Sequence, residues 1–200
     1  MIKFIDRDKL LQKIKKEKIA KLPAILKENN ICTIAVHPFF LSLVDENNPL
    51  VKKGKPTYQK YKQNVAEFFE LNRFENSQFL FENYEYSLKI ARNEFASFFV
   101  EFEHKTNIYY SADGHIYRYA TMKNISRRAN SHNLQNEINH GFEKLIKIVK
   151  NSNAIFVIGM FTYDCVANAI NDLKQIISEQ KSKKEIYTNE TLVKDFCDFY

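Results

Sequence analysis

The segment from residue 107 to residue 132, NIYYSADGHIYRYATMKNISRRANSH, concentrates the side chains best suited to chemistry on a phosphate group. Two tyrosine-bearing runs flank Asp113-Gly114, a pair that favours a tight β-hairpin. The helix expected next carries Arg128 and His132, which are four residues apart and therefore share one helix face. An arginine holds a phosphate through two parallel hydrogen bonds, which lysine cannot reproduce. This spacing predicts a phosphate-handling surface.

These residues resemble the motifs of the GIY-YIG nuclease superfamily. That family pairs a strand bearing G-I-Y with a second strand bearing Y-I-G, and a helix with K-N-x-x-x-R follows. Residues 107–109 look like the first motif, with Asn in place of the glycine, and residues 118–120 occupy the place of the second, where Ala replaces the glycine. Lys123-Asn124 and Arg128 match the opening of the helix, and His132 matches a histidine found one turn later in many members.

The resemblance covers roughly residues 105–187 and is closest to the branch found in phages and large DNA viruses, because a basic residue stands at the second motif. It implies metal-dependent hydrolysis of a DNA phosphodiester on a small three-stranded sheet flanked by helices. The resemblance implies that Tyr109 or Tyr117 positions or deprotonates water and that Arg128 holds the scissile phosphate. It also implies that His132 assists proton transfer. Asp172 stands in the place of the family's metal-binding glutamate and would hold one Mg²⁺ or Mn²⁺.

A lysine-rich segment, LVKKGKPTYQKYKQ at residues 50–63, indicates a nucleic-acid partner, with DNA as the expected one. Lysines interleaved with tyrosines are typical of surfaces that follow a phosphate backbone and stack on bases. The net charge of +6 permits such a partner. The candidate binding residues are Lys52, Lys53, Lys55, Lys60, Lys62, Arg118, Lys123 and Arg127. A solvated loop and helix face is the alternative for the lysine segment, and a catalytically inactive nucleic-acid-binding protein is the alternative function.

A second set of residues indicates a different chemistry. In IGMFTYDCV at residues 158–166, the residues Gly159, Thr162, Cys165 and Val166 resemble the nucleophile region of isochorismatase-like cysteine hydrolases. In that family a turn from strand to helix lowers the pKa of the thiol. Lys123 lies upstream, where the family keeps a lysine, and His37 stands where its first-strand aspartate is expected. The resemblance implies a hydrolase that uses Cys165, and a packed, unreactive Cys165 is the alternative.

The composition is that of a globular protein, with 44% hydrophobic and 27% charged residues in 200. Only 4 Gly and 4 Pro are present, which argues against collagen-like, linker-rich and many-turned all-β chains. The three cysteines, Cys32, Cys165 and Cys197, show no C-x-x-C spacing, so we expect a reducing cytoplasm and no cysteine zinc site. Since no apolar run is long enough for a signal peptide or a membrane span, we expect no membrane partner.

Hydrophobic periodicity predicts a mixed α/β (α+β) fold. In the first half it predicts two helical stretches, over residues 7–28, with a break near Pro23, and over residues 58–71. It also predicts a buried strand over 31–36, an exposed loop over 45–56 and an ambiguous aromatic stretch over 79–102. In the second half it predicts helices over 124–130, 134–150, 166–180 and 192–199, a strand over 154–161 and an extended piece at 185–187. The pattern changes near residue 104, which divides a helix-rich module of unassigned role (1–104) from the nuclease-like domain (105–200).

Overall fold

A computed structural model describes residues 7–38, 49–72, 78–82, 107–110, 116, 132–160 and 162–194. The α-helices are α1 (Arg7–Lys16), α2 (Leu22–Glu28), α3 (Pro49–Asn72), α4 (His132–Asn151) and α5 (Cys165–Glu179), and a 3₁₀ turn (Ile19–Lys21) precedes α2. The strands are β1 (Ile31–Val36), β2 (Gln78–Glu82), β3 (Asn107–Tyr110), β4 (Ala154–Met160), β5 (Ile186–Tyr187) and β6 (Val193–Lys194).

These strands form one parallel sheet with the order β3-β2-β1-β4-β5. The longest pairing joins β1 to β4, from Ile31 opposite Ala154 to Val36 opposite Gly159. Strand β5 pairs near the start of β4 and β6 pairs at its end, so both short strands lie along one edge of β4. Because β2 and β3 extend the sheet on one side of β1, and β4 and β5 on the other, the strand order reverses between β1 and β4.

The core explains why β1 and β4 read as continuous apolar runs. A parallel sheet is covered by helices on both faces, so side chains pointing to either side are buried. Every residue of ICTIAV and of AIFVIGM is buried accordingly. Helices contribute Phe68 and Phe69 of α3, and the ring of Phe68 lies 5.8 Å from that of Phe156 in β4, between centroids. No helix within the described ranges is both long and apolar enough to cross a bilayer.

The predicted mixed α/β class is confirmed. The strands predicted at 31–36 and 154–161 and the extended piece at 185–187 are confirmed, as are the helices predicted at 134–150 and 166–180, with small shifts at their ends. The helix predicted at 58–71 is also confirmed, but it begins nine residues earlier, at Pro49. The helical stretch from residue 7 to residue 28 is interrupted, but after Lys16 rather than at Pro23. Pro23 lies in the first turn of α2, where a missing backbone N–H costs no hydrogen bond within the helix.

Two predicted elements are wrong. The exposed loop at 45–56 is wrong from Pro49 onward, because α3 begins there and contains Pro56. The fixed φ of proline suits the first helical position, so the turn-forming residues before Pro49 precede a helix. The helix predicted from Leu192 is wrong at its start, because Val193 and Lys194 form β6. Periodicity alone does not reveal that the edge of β4 is available to pair with these two residues.

The sheet joins the two sides of residue 104, the predicted boundary between two modules. Strands β1 and β2 precede that residue, and β2 pairs with β3, which follows it, with Phe79 opposite Asn107. Within the described ranges the sheet therefore has six strands drawn from both segments, whereas three strands in the second half were expected. Strands β3 and β4 are separated by β2 and β1. The predicted turn at Asp113-Gly114 and the predicted helix at 124–130 lie outside the described residues.

The thiol of Cys32 lies in the middle of the sheet, on β1, and is fully buried. Burial raises its pKa from an ordinary value of about 9.0 to about 11, because the ionised thiolate would lose its hydration. A hydrogen bond with Ser152 and the charge of Lys184 act in the opposite direction but are smaller effects. The folded protein therefore keeps this proton over a pH range in which the unfolded chain loses it.

We expect the contribution of Cys32 to the free energy of unfolding to be complete below about pH 9 and to fall by roughly 2 kcal/mol by about pH 10.5. The raised pKa of the folded state gives this sign, because alkali ionises the unfolded thiol first. Urea unfolding of the wild type and of Cys32→Ala at several pH values measures it. Lysines and tyrosines titrate in both proteins, so the difference between the two isolates Cys32. A difference that stays constant across this range would contradict the argument.

Candidate functional site

The carboxyl ends of β1 and β4 lie side by side at the point where the strand order reverses. In open parallel α/β sheets, ligands bind in the crevice outside the carboxyl ends of the strands at such a point. The described residues that follow the two strands here are His37, Pro38, Thr162, Tyr163, Asp164 and Cys165. We refer to these six residues as the switch-point site.

The two strands approach each other closely just below this site, and only glycine permits that approach. Gly159 has φ of +127°, a conformation that side-chain-bearing residues rarely adopt. A Cβ at this position would lie 1.8 Å from the carbonyl oxygen of Val36, which is far inside contact distance. The backbone N–H of Gly159 donates to the carbonyl oxygen of Leu192 at 2.8 Å. Strand β4 is thus held on both sides as it enters the site.

His37 follows β1 directly, and its environment is unusual for an ionisable residue. It is 1% exposed and has φ of +44°, in the left-handed region. Non-glycine residues in this region are uncommon, and strained positions of this kind cluster at functional sites. The neighbouring residue is held from α3, because the buried hydroxyl of Tyr61 donates to the carbonyl oxygen of Pro38 at 3.3 Å. The loop after β1 is therefore anchored to the helix layer.

Cys165 is the first residue of α5 and is 6% exposed. Asp164 precedes it at the N-cap position and makes no side-chain capping hydrogen bond to the helix. Thr162 donates its backbone N–H to the carbonyl oxygen of Lys194 at 3.2 Å, which ties this loop to β6. The unpaired N–H groups of a helix N-terminus favour negative charge, and a thiolate at the first position benefits from them.

The residues predicted for a nuclease site are only partly described. Tyr109 lies in β3 opposite Phe81, and His132 is the first residue of α4. The other two predicted catalytic residues, Tyr117 and Arg128, lie outside the described residues, as do Arg118, Lys123 and Arg127. Among the predicted nucleic-acid-binding lysines, Lys52, Lys53, Lys55, Lys60 and Lys62 all lie on α3, where Lys60 is exposed and Lys62 half-buried.

Asp172, the predicted metal ligand, contacts the segment that follows β3. The residue is 8% exposed, and its Oδ2 accepts a hydrogen bond of 2.7 Å from the buried backbone N–H of Ile116. In the described part of the chain, no three His, Cys, Asp or Glu side chains form a group that could hold a metal ion. This hydrogen bond was not anticipated from the sequence. The sequence feature that could have indicated it is an acidic residue, Asp172, on the apolar face of α5, beside the buried Ala169, Leu173 and Ile176.

No family model, no curated protein and no solved structure matches this chain. Both resemblances therefore stay predictions from their motifs. The geometry of the described residues is what distinguishes the functions they imply.

We expect Asp172→Ala to lower the free energy of unfolding by about 1–3 kcal/mol, because it leaves the buried N–H of Ile116 without its carboxylate acceptor. Asp172→Asn keeps a side-chain oxygen at this position and should lose less. Urea unfolding measures both, and Asn171→Ala is the matched control because Asn171 is the exposed neighbour on the same helix. If all three variants are as stable as the wild type, the hydrogen bond does not anchor this segment.

Proposed function

We propose that this chain is a cysteine-dependent hydrolase that cleaves an amide or ester bond with Cys165 as the nucleophile. The observation that carries the proposal is the position of Cys165 at the start of α5, immediately beyond β4, at the reversal of strand order. The motif that resembles the isochorismatase-like hydrolases, from Gly159 to Val166, occupies this same strand-to-helix turn. Motif and place in the fold support the same chemistry.

The proposed reaction needs a thiolate and a place for the negative charge that develops on the substrate. Sγ of Cys165 attacks the carbonyl carbon, and the carbonyl oxygen becomes an oxyanion. Backbone N–H groups in the first turn of α5 are suited to stabilise that oxyanion. The intermediate then expels an amine or an alcohol, which takes a proton, and a thioester remains on Cys165. Water hydrolyses the thioester, releases a carboxylic acid and restores the thiol.

His37 is our candidate for the proton acceptor in this reaction. It directly follows β1, the strand next to β4, in the place where the isochorismatase-like hydrolases that the motif resembles carry an aspartate. An imidazole, like a carboxylate, accepts a proton from a thiol or from water. The anchoring of Pro38 by Tyr61 supports this role, because a base must keep its position through the reaction. Lys123, the second ionisable residue that the resemblance implies, lies outside the described residues.

The nuclease prediction has less support from the described residues. Its metal ligand, Asp172, is buried and bonded to the backbone of Ile116. Its first strand, β3, lies at the far edge of the sheet from β4, which was expected to belong to the same three-stranded sheet. By contrast, the two residues of the hydrolase proposal, His37 and Cys165, follow β1 and β4, which are adjacent strands.

At about pH 7.5, we expect iodoacetamide to modify Cys165 at least about tenfold faster than Cys32, as measured by mass spectrometry of peptides. Cys32 is fully buried and its pKa of about 11 keeps it protonated. In a screen of small amides and esters, Cys165→Ala should lose at least about 10³-fold in kcat/KM on any substrate found. Cys32→Ala is the matched control and should keep its activity.

The same preparations should be tested for DNA nicking in the presence of Mn²⁺. Nicking by the wild type and by Cys165→Ala at equal rates, with no hydrolysis of any amide or ester, would overturn the proposal in favour of the nuclease prediction. Hydrolysis that survives Cys165→Ala unchanged would also remove Cys165 from the mechanism.

A further inference from the structure

The first two helices and the turn between them form a strongly basic segment of the chain. Residues 7–28 contain eight basic residues, Arg7 and seven lysines, against three acidic ones, Asp8, Glu17 and Glu28. Their net charge is therefore +5, in a chain whose total is +6. The remaining residues together carry a net charge of +1, although the lysine-rich segment at residues 50–63 holds five lysines and no acidic residue.

The lysines of this stretch are on the surface. All seven are exposed, namely Lys9, Lys13, Lys15, Lys16, Lys18, Lys21 and Lys27. Lys9, Lys13 and Lys16 are spaced i, i+4, i+7 and so share one face of α1. Lys15 lies 3.5 Å from the carboxylate of Glu190. Among the residues that the structure describes, no carboxylate forms an ion pair with Lys13, Lys16, Lys18 or Lys21. We call these four lysines the basic helix surface.

This surface is part of the folded domain rather than a charged tail. The side-chain amide of Asn189 donates to the carbonyl oxygens of Ile14 at 2.7 Å and Glu17 at 3.1 Å, which fixes the end of α1. The 3₁₀ turn that follows packs against α2 and α3. The positions of the lysine Cα atoms are thereby fixed relative to one another, and a bound polyanion would not have to order this backbone.

We infer that the basic helix surface binds the phosphate backbone of a nucleic acid without reading its sequence. Clustered lysines release condensed counterions from a polyphosphate when they bind it. An anionic membrane is a poorer match, because helices that bind membranes insert an exposed apolar face. Here the apolar residues Ile14, Leu22 and Leu26 are buried in the protein core. Lys60, also exposed, lies on α3, which packs against the 3₁₀ turn.

This inference is independent of the proposed hydrolase activity, and a binding titration tests it without a substrate. The probe is a labelled duplex DNA of about 30 base pairs, followed by fluorescence anisotropy from about 50 to 300 mM salt. The test variant replaces Lys13, Lys16, Lys18 and Lys21 with Gln. The matched control replaces Lys144, Lys147, Lys174 and Lys183, four exposed lysines elsewhere in the chain, and changes the net charge by the same amount. Lysine and glutamine have similar helix propensities, so both variants should fold, and circular dichroism checks this.

We expect wild-type affinity to fall steeply with salt, and the test variant to lose at least about tenfold in affinity at the lowest salt. Each phosphate contact contributes about 0.9 to the slope of log K against log salt, so the slope should decrease by up to about 3–4. The control variant should change less than about twofold. Equal losses in the two variants would reduce the effect to net charge and overturn the inference. Absence of binding at the lowest salt, or binding to phosphatidylserine vesicles but not to DNA, would overturn it as well.

Discussion

The pairing of β1 with β4 is the constraint on which the rest of the structure depends. It joins residue 31 to residue 154 and residue 36 to residue 159, more than 120 positions apart in the sequence. At its end, the backbone of Gly159 comes so close to Val36 that no side chain fits. The pairing sets the reversal of strand order, and the reversal in turn places the residues after both strands at one crevice. A side chain at position 159 would therefore disturb the switch-point site as well as the sheet.

Buried polar side chains form further connections between segments that are distant in the sequence. Asn189 connects the turn between β5 and β6 to the end of α1, 175 positions earlier in the chain. Asp172 connects α5 to Ile116 in the segment after β3. In each case a side chain satisfies backbone groups that would otherwise be buried without a partner or left open at a helix end. Such bonds specify which segments meet, because an apolar contact of similar area tolerates more than one arrangement.

Helices and strands could be predicted from the sequence where burial determines the pattern of apolar residues. Which strands pair with each other could not be predicted. Strands β1 and β4 could be recognised because both faces are covered and every residue is apolar or small. Nothing in the two runs identifies them as partners, and the predicted boundary at residue 104 falls between strands of the same sheet. The start of α3 at Pro49 was missed because proline and asparagine serve both in turns and at helix starts. Strand β6 was missed because its two residues depend on the edge of β4.

The candidate site divides in the same way. Cys165 could be named from the sequence as the nucleophile of an alternative function, because its spacing from Gly159 and Thr162 lies within one strand-to-helix turn, which is a local property. His37 could be noted only because it stands where the isochorismatase-like family carries an aspartate. Its burial and positive φ arise from the tertiary structure and could not be predicted. A buried imidazole loses its hydration, and a left-handed backbone conformation costs about 1 kcal/mol or more of folding free energy. Both features therefore lower the stability of the folded protein. An apolar residue would fill the core without the first cost. The proposed reaction accounts for this cost, because it gives the buried imidazole a role that packing does not require.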